Sequence, residues 1–249
     1  MSQNSLPRTA KRLADYTAPA FNISHVDLCF ELDAEATRVT SVLQINRNQP
    51  DVPLKLDGQQ LTLISVAIDG QLLGAADYQL EAESLTLFTV GQQCELTIIC
   101  DIAPLHNTAL EGLYMAGDTY CTQCEAEGFR RISYFLDRPD VLTEYKVTIK
   151  ADAKRYPYLL SNGNKVSEHI DEQGLRVVQW HDPFPKPCYL FALVAGAFTT
   201  GLLSVTDEAG SRAVRRALLA RAGITVGRRR MRRYTLIAPR RCTSAHQAP

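Results

Sequence analysis

The sequence predicts an all-β protein, an antiparallel β-sandwich, followed by an Arg-rich tail of different character. Three observations lead there. Short apolar segments alternate with period two, the spacing at which side chains of a half-buried strand face one side of a sheet. Turn residues punctuate these segments about every ten positions. No helical stripe of 12 or more residues occurs before residue 205.

Residues 1–20 read as a flexible lead-in ending at Pro19. Val26, Leu28, Phe30 and Leu32 then alternate with His25, Asp27, Cys29 and Glu31, and Val39, Leu43 and Ile45 continue the pattern. Asp57-Gly58 and Asp69-Gly70 flank the next segment, and such pairs suit hairpin turns because both central residues adopt positive φ. Between them the apolar phase slips from Leu61 and Leu63 to Ile64, Val66 and Ile68, which predicts a bulge. Leu85 with Leu87, Cys94 through Cys100, and Tyr145 through Ile149 give further strands. Leu175–Trp180 and Cys188–Ala195 close the series, separated by DPFPKP, which reads as a rigid loop.

The composition, 45% apolar and 22% charged, is that of an ordinary globular chain long enough to bury a core without staples. No apolar run spans a bilayer, and the polar start lacks the core of a secretory signal, so no membrane association and a cytoplasmic location are expected. The seven cysteines form no framework spacing, which suits a reducing compartment. The formal net charge of zero conceals two halves. All 27 acidic residues lie at or before Glu208, while residues 211–249 hold 11 of the 27 basic ones, every one an arginine. The 16 remaining basic residues leave residues 1–210 at a net of −11.

Little complete chemistry is visible. Cys121 and Cys124 form a CxxC, but no βαβ pattern supports a redox motif and no second ligand pair supports zinc, so two incidental thiols are expected. The five histidines are scattered and none is followed by Glu, so HExxH is absent, as are GxSxG and the phosphate-binding GxxxxGK[ST]. No catalytic residue and no metal ligand are assigned, and no cofactor is expected in this chain. The one unusual stretch is 107–141, long and irregular, rich in acids, aromatics and arginines. It is either a functional loop or a solvated excursion in which Asp137, Arg138 and Asp140 pair locally.

Five segments within and beyond that stretch, NTALEGLY, CTQCEAEGFR, YFLDRPDVL, LLSNGN and QWHDPFPKPCYLFALVAGAF, occur in order and resemble the N-terminal domain of the aminopeptidases N of Gram-negative bacteria. The opening DYTAPAFNISHVDLCFELD is similar to that family's first strand, and the resemblance covers about residues 10–200. It implies a β-domain at 21–198 that covers one side of a zinc-dependent active site carried by a following domain. It also implies that Glu125 helps bind the α-ammonium of a peptide substrate, with Gln123 beside it lining the pocket for the first residue. The family's full-length enzymes hold one zinc ion and act on peptide N-termini. The zinc ligands and the GAMEN-like exopeptidase motif are not in this chain, so the missing catalytic domain leaves it without expected activity of its own.

Residues 199–210 then read as the remnant of that domain's start, and 211–249 as an out-of-frame, disordered tail in a truncated chain. Residues 209–217 can be encoded by triplets which, shifted by one base, spell REVALFVE and the start of a proline codon, similar to the family at this point. A basic arm for nucleic acid would need such arginines for phosphate contacts, but no groove-binding motif accompanies them and no nucleic-acid partner is expected. The alternative function is a stand-alone β-sandwich interaction module that binds through the loop at 107–141.

Overall fold

The structure, a computed structural model, describes residues 13–206, 212–220 and 235–237; beyond Phe198 it gives the course of strands alone. The first strands are β1 (Phe21–Glu31), β2 (Thr37–Arg47), β3 (Leu54–Asp57), β4 (Thr62–Ile68), β5 (Gln71–Leu72) and β6 (Tyr78–Glu81). Then come β7 (Ser84–Leu87), β8 (Gln93–Ile102), β9 (Gly112–Ala116), β10 (Thr119–Gln123), β11 (Thr143–Asp152) and β12 (Tyr158–Ser161). Strands β13 (Asn164–Ile170), β14 (Leu175–Lys186), β15 (Leu193–Gly196), β16 (Phe198–Thr206), β17 (Arg212–Ala220) and β18 (Thr235–Ile237) complete the series. Four 3₁₀ turns are the only helices among the described residues, and none is long enough to cross a membrane.

An eight-stranded sheet in the order β13-β14-β11-β1-β2-β8-β4-β5 is the platform. Smaller sheets, β3-β7-β6 and β12-β15-β10-β9, accompany it, and β17-β16-β18 forms a fourth. Pairing is antiparallel except for β1 with β11, which run parallel with His25 opposite Glu144. That parallel pair makes the sheet mixed, and it follows from topology: β11 returns to the platform only after more than a hundred residues, a crossover that a hairpin cannot supply.

Period-two burial follows the sequence in β1, where Val26, Leu28 and Phe30 are buried, and in β2, where Val39, Leu43 and Ile45 are. The register of β4 against β8 shifts between Leu63 and Ser65, the bulge that the slipped apolar phase predicts. Ile64, in phase with Val66 in the sequence, is exposed because it is the extra residue of the bulge, while Val66 is buried. Asp69 and Gly70 both have positive φ and turn β4 into β5. Asp57-Gly58 does not make a hairpin: β3 pairs with β7, distant in sequence. There the glycine serves close approach, for a Cβ on Gly58 would lie 2.3 Å from the Tyr134 ring.

Two other boundaries differ from expectation. DPFPKP is not a loop up to its lysine, because β14 continues to Lys186, with Thr143 of β11 still opposite that residue. Cys188–Leu190 is a 3₁₀ turn, leaving only Leu193–Gly196 as strand. In the tail, Arg212–Ala220 pairs antiparallel along the whole of β16, departing from the expected absence of regular structure. Strand pairing satisfies backbone N–H and C=O groups whatever the side-chain pattern, so a poor apolar pattern does not preclude it. Residues 1–12 of the expected lead, and 207–211, 221–234 and 238–249 of the expected remnant and tail, lie outside the described residues.

The core is aromatic at its centre. Phe129 meets Phe135 at 4.8 Å and Phe191 at 5.4 Å, both edge-on, while Phe191 stacks on Phe30 at 6.0 Å. These rings come from three distant parts of the chain and tie the 107–141 stretch to the platform. Phe30 is fully buried, so Phe30→Ala is expected to cost about 3–5 kcal/mol, read as a lowered urea midpoint.

Candidate functional site

Gln123 and Glu125 sit at the end of a hairpin built from β9 and β10. The hairpin turns at Gly117, whose φ is +61°, and pairs Gln123 with Gly112. Its entry is clamped by Asn107, whose side-chain amide donates to the carbonyls of Glu111 at 2.7 Å and Leu113 at 2.9 Å. Its far side is tied to β15 through the Thr122 hydroxyl, which donates to the Leu193 carbonyl and accepts from the Leu193 N–H.

After Gln123 the chain makes a tight turn closed by the Gly128 N–H on the Cys124 carbonyl at 2.9 Å. Two glycines let the turn fold against the start of β9. A Cβ on Gly128 would lie 2.5 Å from the Gln123 carbonyl oxygen, and one on Gly112 would lie 2.6 Å from the Arg131 Cβ. Gly112 also has a φ of +71°. Any side chain at either position would push the loop away from its base.

At the tip, Gln123 is exposed and its Nε2 donates to the Glu125 carbonyl at 3.1 Å. The Glu125 carboxylate is exposed and has no hydrogen bond or ion pair among the described residues. The Glu125–Ala126 peptide is cis. The loop therefore presents one unspent carboxylate and one amide, next to each other, on a closed turn.

Beneath it lies a network that the sequence did not reveal. Asp137 is buried, and its carboxylate Oδ2 accepts from the Arg130 Nε at 2.8 Å and the Arg130 backbone N–H at 3.1 Å. Its Oδ1 accepts from the Cys188 thiol at 3.0 Å. The Asp137 N–H donates to Asp57 Oδ2 at 3.2 Å, and Arg130 also faces Glu127 at 3.4 Å. Burial pushes the Asp57 carboxyl up, with the Arg130 charge pulling the other way. Arg130 and Cys188 thus meet at the Asp137 carboxylate, and Asp57 joins them through the Asp137 amide. Arg138 and Asp140 pair locally in a bidentate contact, as expected, but Asp137 does not join them. The 107–141 stretch is hence not wholly solvated: Ile132–Asp137 is core, while Gln123 and Glu125–Glu127 are exposed on either side of buried Cys124.

The CxxC does not assemble a centre. Cys121 lies in β10 and is half-buried, whereas Cys124 is buried at the loop base. Both are free thiols. Burial pushes Cys124 up to about 12 and also raises Cys121 and Cys188. High thiol pKa values disfavour the thiolate that redox exchange and zinc ligation both require. No group of three or more His, Cys, Asp or Glu among the described residues is placed to hold a metal, so the residues present do not fit a zinc ion.

Two outcomes are expected from this geometry. Asp137→Ala removes the shortest partner of the half-buried Arg130, leaving it Glu127 and Asp57, which is expected to cost about 1–3 kcal/mol in urea unfolding, against about 1 kcal/mol or less for Asp140→Ala. Cys124 and Cys188 are expected to resist alkylation in the folded chain and to react after unfolding, as read by peptide mapping.

Known proteins resemble this chain in sequence and in fold. Aminopeptidase N of Escherichia coli (strain K12) is 50% identical over 202 residues, 81% of this chain and 23% of that protein. Aminopeptidase N of Haemophilus influenzae (strain ATCC 51907 / DSM 11121 / KW20 / Rd) is 46% identical over 193 residues, 76% of this chain and 22% of that one. The chain spans less than a quarter of the length of these curated relatives. The crystal structure of Legionella pneumophila aminopeptidase A in complex with aspartic acid superimposes with a TM-score of 0.78 at 33% identity, covering 84% of this chain and 25% of that one. The M1 zinc metallopeptidase from Deinococcus radiodurans superimposes at 0.67 with 17% identity, covering 84% of this chain and 49% of that one, a likeness of fold alone. The family model for the Peptidase M1 N-terminal domain matches residues 22–190, and the chain belongs to that family.

Proposed function

We propose that this chain is the part of an aminopeptidase that covers the active site and helps hold the α-ammonium of a peptide substrate through Glu125. One observation carries the reading: Glu125 keeps an unspent carboxylate at the tip of a loop whose base is closed by the Gly128–Cys124 hydrogen bond and the Arg130–Asp137 pair. A carboxylate that meets a cationic terminus in a water-poor pocket selects it by charge-assisted hydrogen bonding. The Gln123 amide, already turned toward the Glu125 backbone, would border the space for the first side chain.

Zinc chemistry in the relatives' class of enzyme would come from residues outside this chain, since its own donors do not fit a metal ion. The zinc-bearing portion would supply the polarised carbonyl and activated water, while Glu125 and Gln123 would bind and orient. A supporting point is the preformed loop, which loses little conformational freedom when a second surface closes over it.

The reading is tested in a chimera of the Escherichia coli relative, with residues 21–198 of this chain in place of the matched segment. The chimera is expected to hydrolyse aminoacyl chromogenic amides. Its Glu125→Ala variant is expected to lose roughly 10- to 100-fold in kcat/KM, the worth of a hydrogen bond to a charged group. An active chimera that is indifferent to Glu125→Ala contradicts the assignment.

A further inference from the structure

The corner between β12 and β13 carries the one Asn-Gly pair in the sequence, Asn162–Gly163. The two strands belong to different sheets, β12 to the β12-β15-β10-β9 sheet and β13 to the edge of the platform, so the chain must turn sharply between them. Gly163 makes that turn at a φ of +81°. A Cβ there would lie 2.2 Å from the His181 carbonyl oxygen and 2.6 Å from the Asp182 Cα, so no other residue fits.

Asn162 is fixed just as closely by what its amide does. Nδ2 donates to the Leu190 carbonyl at 3.1 Å, and Oδ1 accepts the Ala192 N–H at 2.6 Å. The Ser161 hydroxyl adds a bond to the Ala192 carbonyl at 2.9 Å. A carboxylate of the same size could accept but not donate, so this clasp needs the amide. The segment it closes on carries Phe191, in contact with Phe30 and Phe129, and follows Cys188, bonded to Asp137.

Geometry thus requires each residue, yet the pair is chemically unstable. Asparagine is thermolabile because the next backbone nitrogen can attack its side-chain amide, and a following glycine hinders that attack least. The Gly163 nitrogen bonds to Asn162 Cγ and the Cγ–Nδ2 bond breaks. Nδ2 leaves as ammonia, taking the proton that the Gly163 nitrogen gives up. Water then opens the resulting succinimide at either carbonyl, leaving aspartate or isoaspartate, and no other reactant is consumed. In the closed clasp, loss of Nδ2 breaks the bond to Leu190, and rotation of Cγ toward Gly163 breaks the bond to Ala192.

We propose that Asn162 is a site of intramolecular deamidation, held in check while the clasp is closed and one-way once the 190–192 segment has lifted. In the aspartate product a carboxylate oxygen faces the Leu190 carbonyl, acceptor against acceptor. In the isoaspartate product the corner is one backbone carbon longer. Neither product lets the clasp close as before, so the modification marks chains in which this segment has opened. The inference does not depend on Glu125 or on any activity of the chain.

The test incubates the full chain in mildly alkaline buffer, folded and urea-unfolded, and follows each asparagine by peptide mass spectrometry. The unfolded chain is expected to deamidate at Asn162 before any other asparagine. The folded chain is expected to do so about tenfold more slowly or more, the worth of two net hydrogen bonds. Ser161→Ala loosens the clasp without touching the reacting pair and is expected to narrow that gap severalfold. In chain deamidated at Asn162, exchange of the Ala192 amide is expected to be at least tenfold faster than in the parent, with β1 and β2 still protected. Equal rates in folded and unfolded chain overturn the proposal, as does another asparagine reacting first in the unfolded chain. A gap that Ser161→Ala leaves unchanged also overturns it, as does deamidation that leaves Ala192 exchange unchanged or speeds exchange equally in β1 and β2.

Discussion

The Asp137 carboxylate is the constraint on which the functional region depends. A buried charge is costly unless its lone pairs are met, and here three donors meet them: the Arg130 guanidinium, the Arg130 amide and the Cys188 thiol. Each partner fixes a different piece of chain. Arg130 follows the projecting loop, Cys188 leads into β15, and Asp57, bonded to the Asp137 amide, ends β3. With those three pieces set around one point, the aromatic rings of Phe129, Phe135 and Phe191 can close over the platform, and the hairpin carrying Gln123 and Glu125 has a fixed base.

Stability and the proposed binding role are therefore divided along the same 107–141 stretch. The residues that look inward spend their polar groups on one another. Glu125 keeps its carboxylate free and the Gln123 amide bonds only to the neighbouring backbone. This separation suits a binding loop, because substitutions at the tip can alter what is held without unfolding what holds it. The glycines at 112 and 128 serve the same end by geometry, bringing two backbones closer than any side chain would allow.

Much of the platform was legible in the sequence. Period two marked β1, β2 and β8, and the phase slip near Leu63 marked a real bulge. What was hidden is what depends on distant partners. Asp57-Gly58 resembled a hairpin turn because local pattern cannot show that Tyr134 will pack on that glycine. DPFPKP resembled a loop because prolines weaken strand propensity, whereas its backbone continues opposite β11. The parallel pairing of β1 with β11 left no local trace at all. For the site, Gln123 and Glu125 were reached through resemblance, and their pairing on one turn became visible only with the fold. The Asp137 network was seen as a set of charged residues, but which arginine paired with which acid depended on burial. Asp137 took Arg130, seven positions away, rather than adjacent Arg138.

The account stands on the Asp137–Arg130 pair holding the loop in its presented form. Amide hydrogen exchange across residues 123–131, in the parent chain and in Asp137→Asn, measures this directly. The Gly128 and Arg130 amides, bonded to the Cys124 carbonyl and the Asp137 carboxylate, are expected to exchange slowly in the parent and at least tenfold faster in the variant, while β1 and β2 stay protected. Fast exchange at both amides in the parent, or no change in the variant, would contradict it.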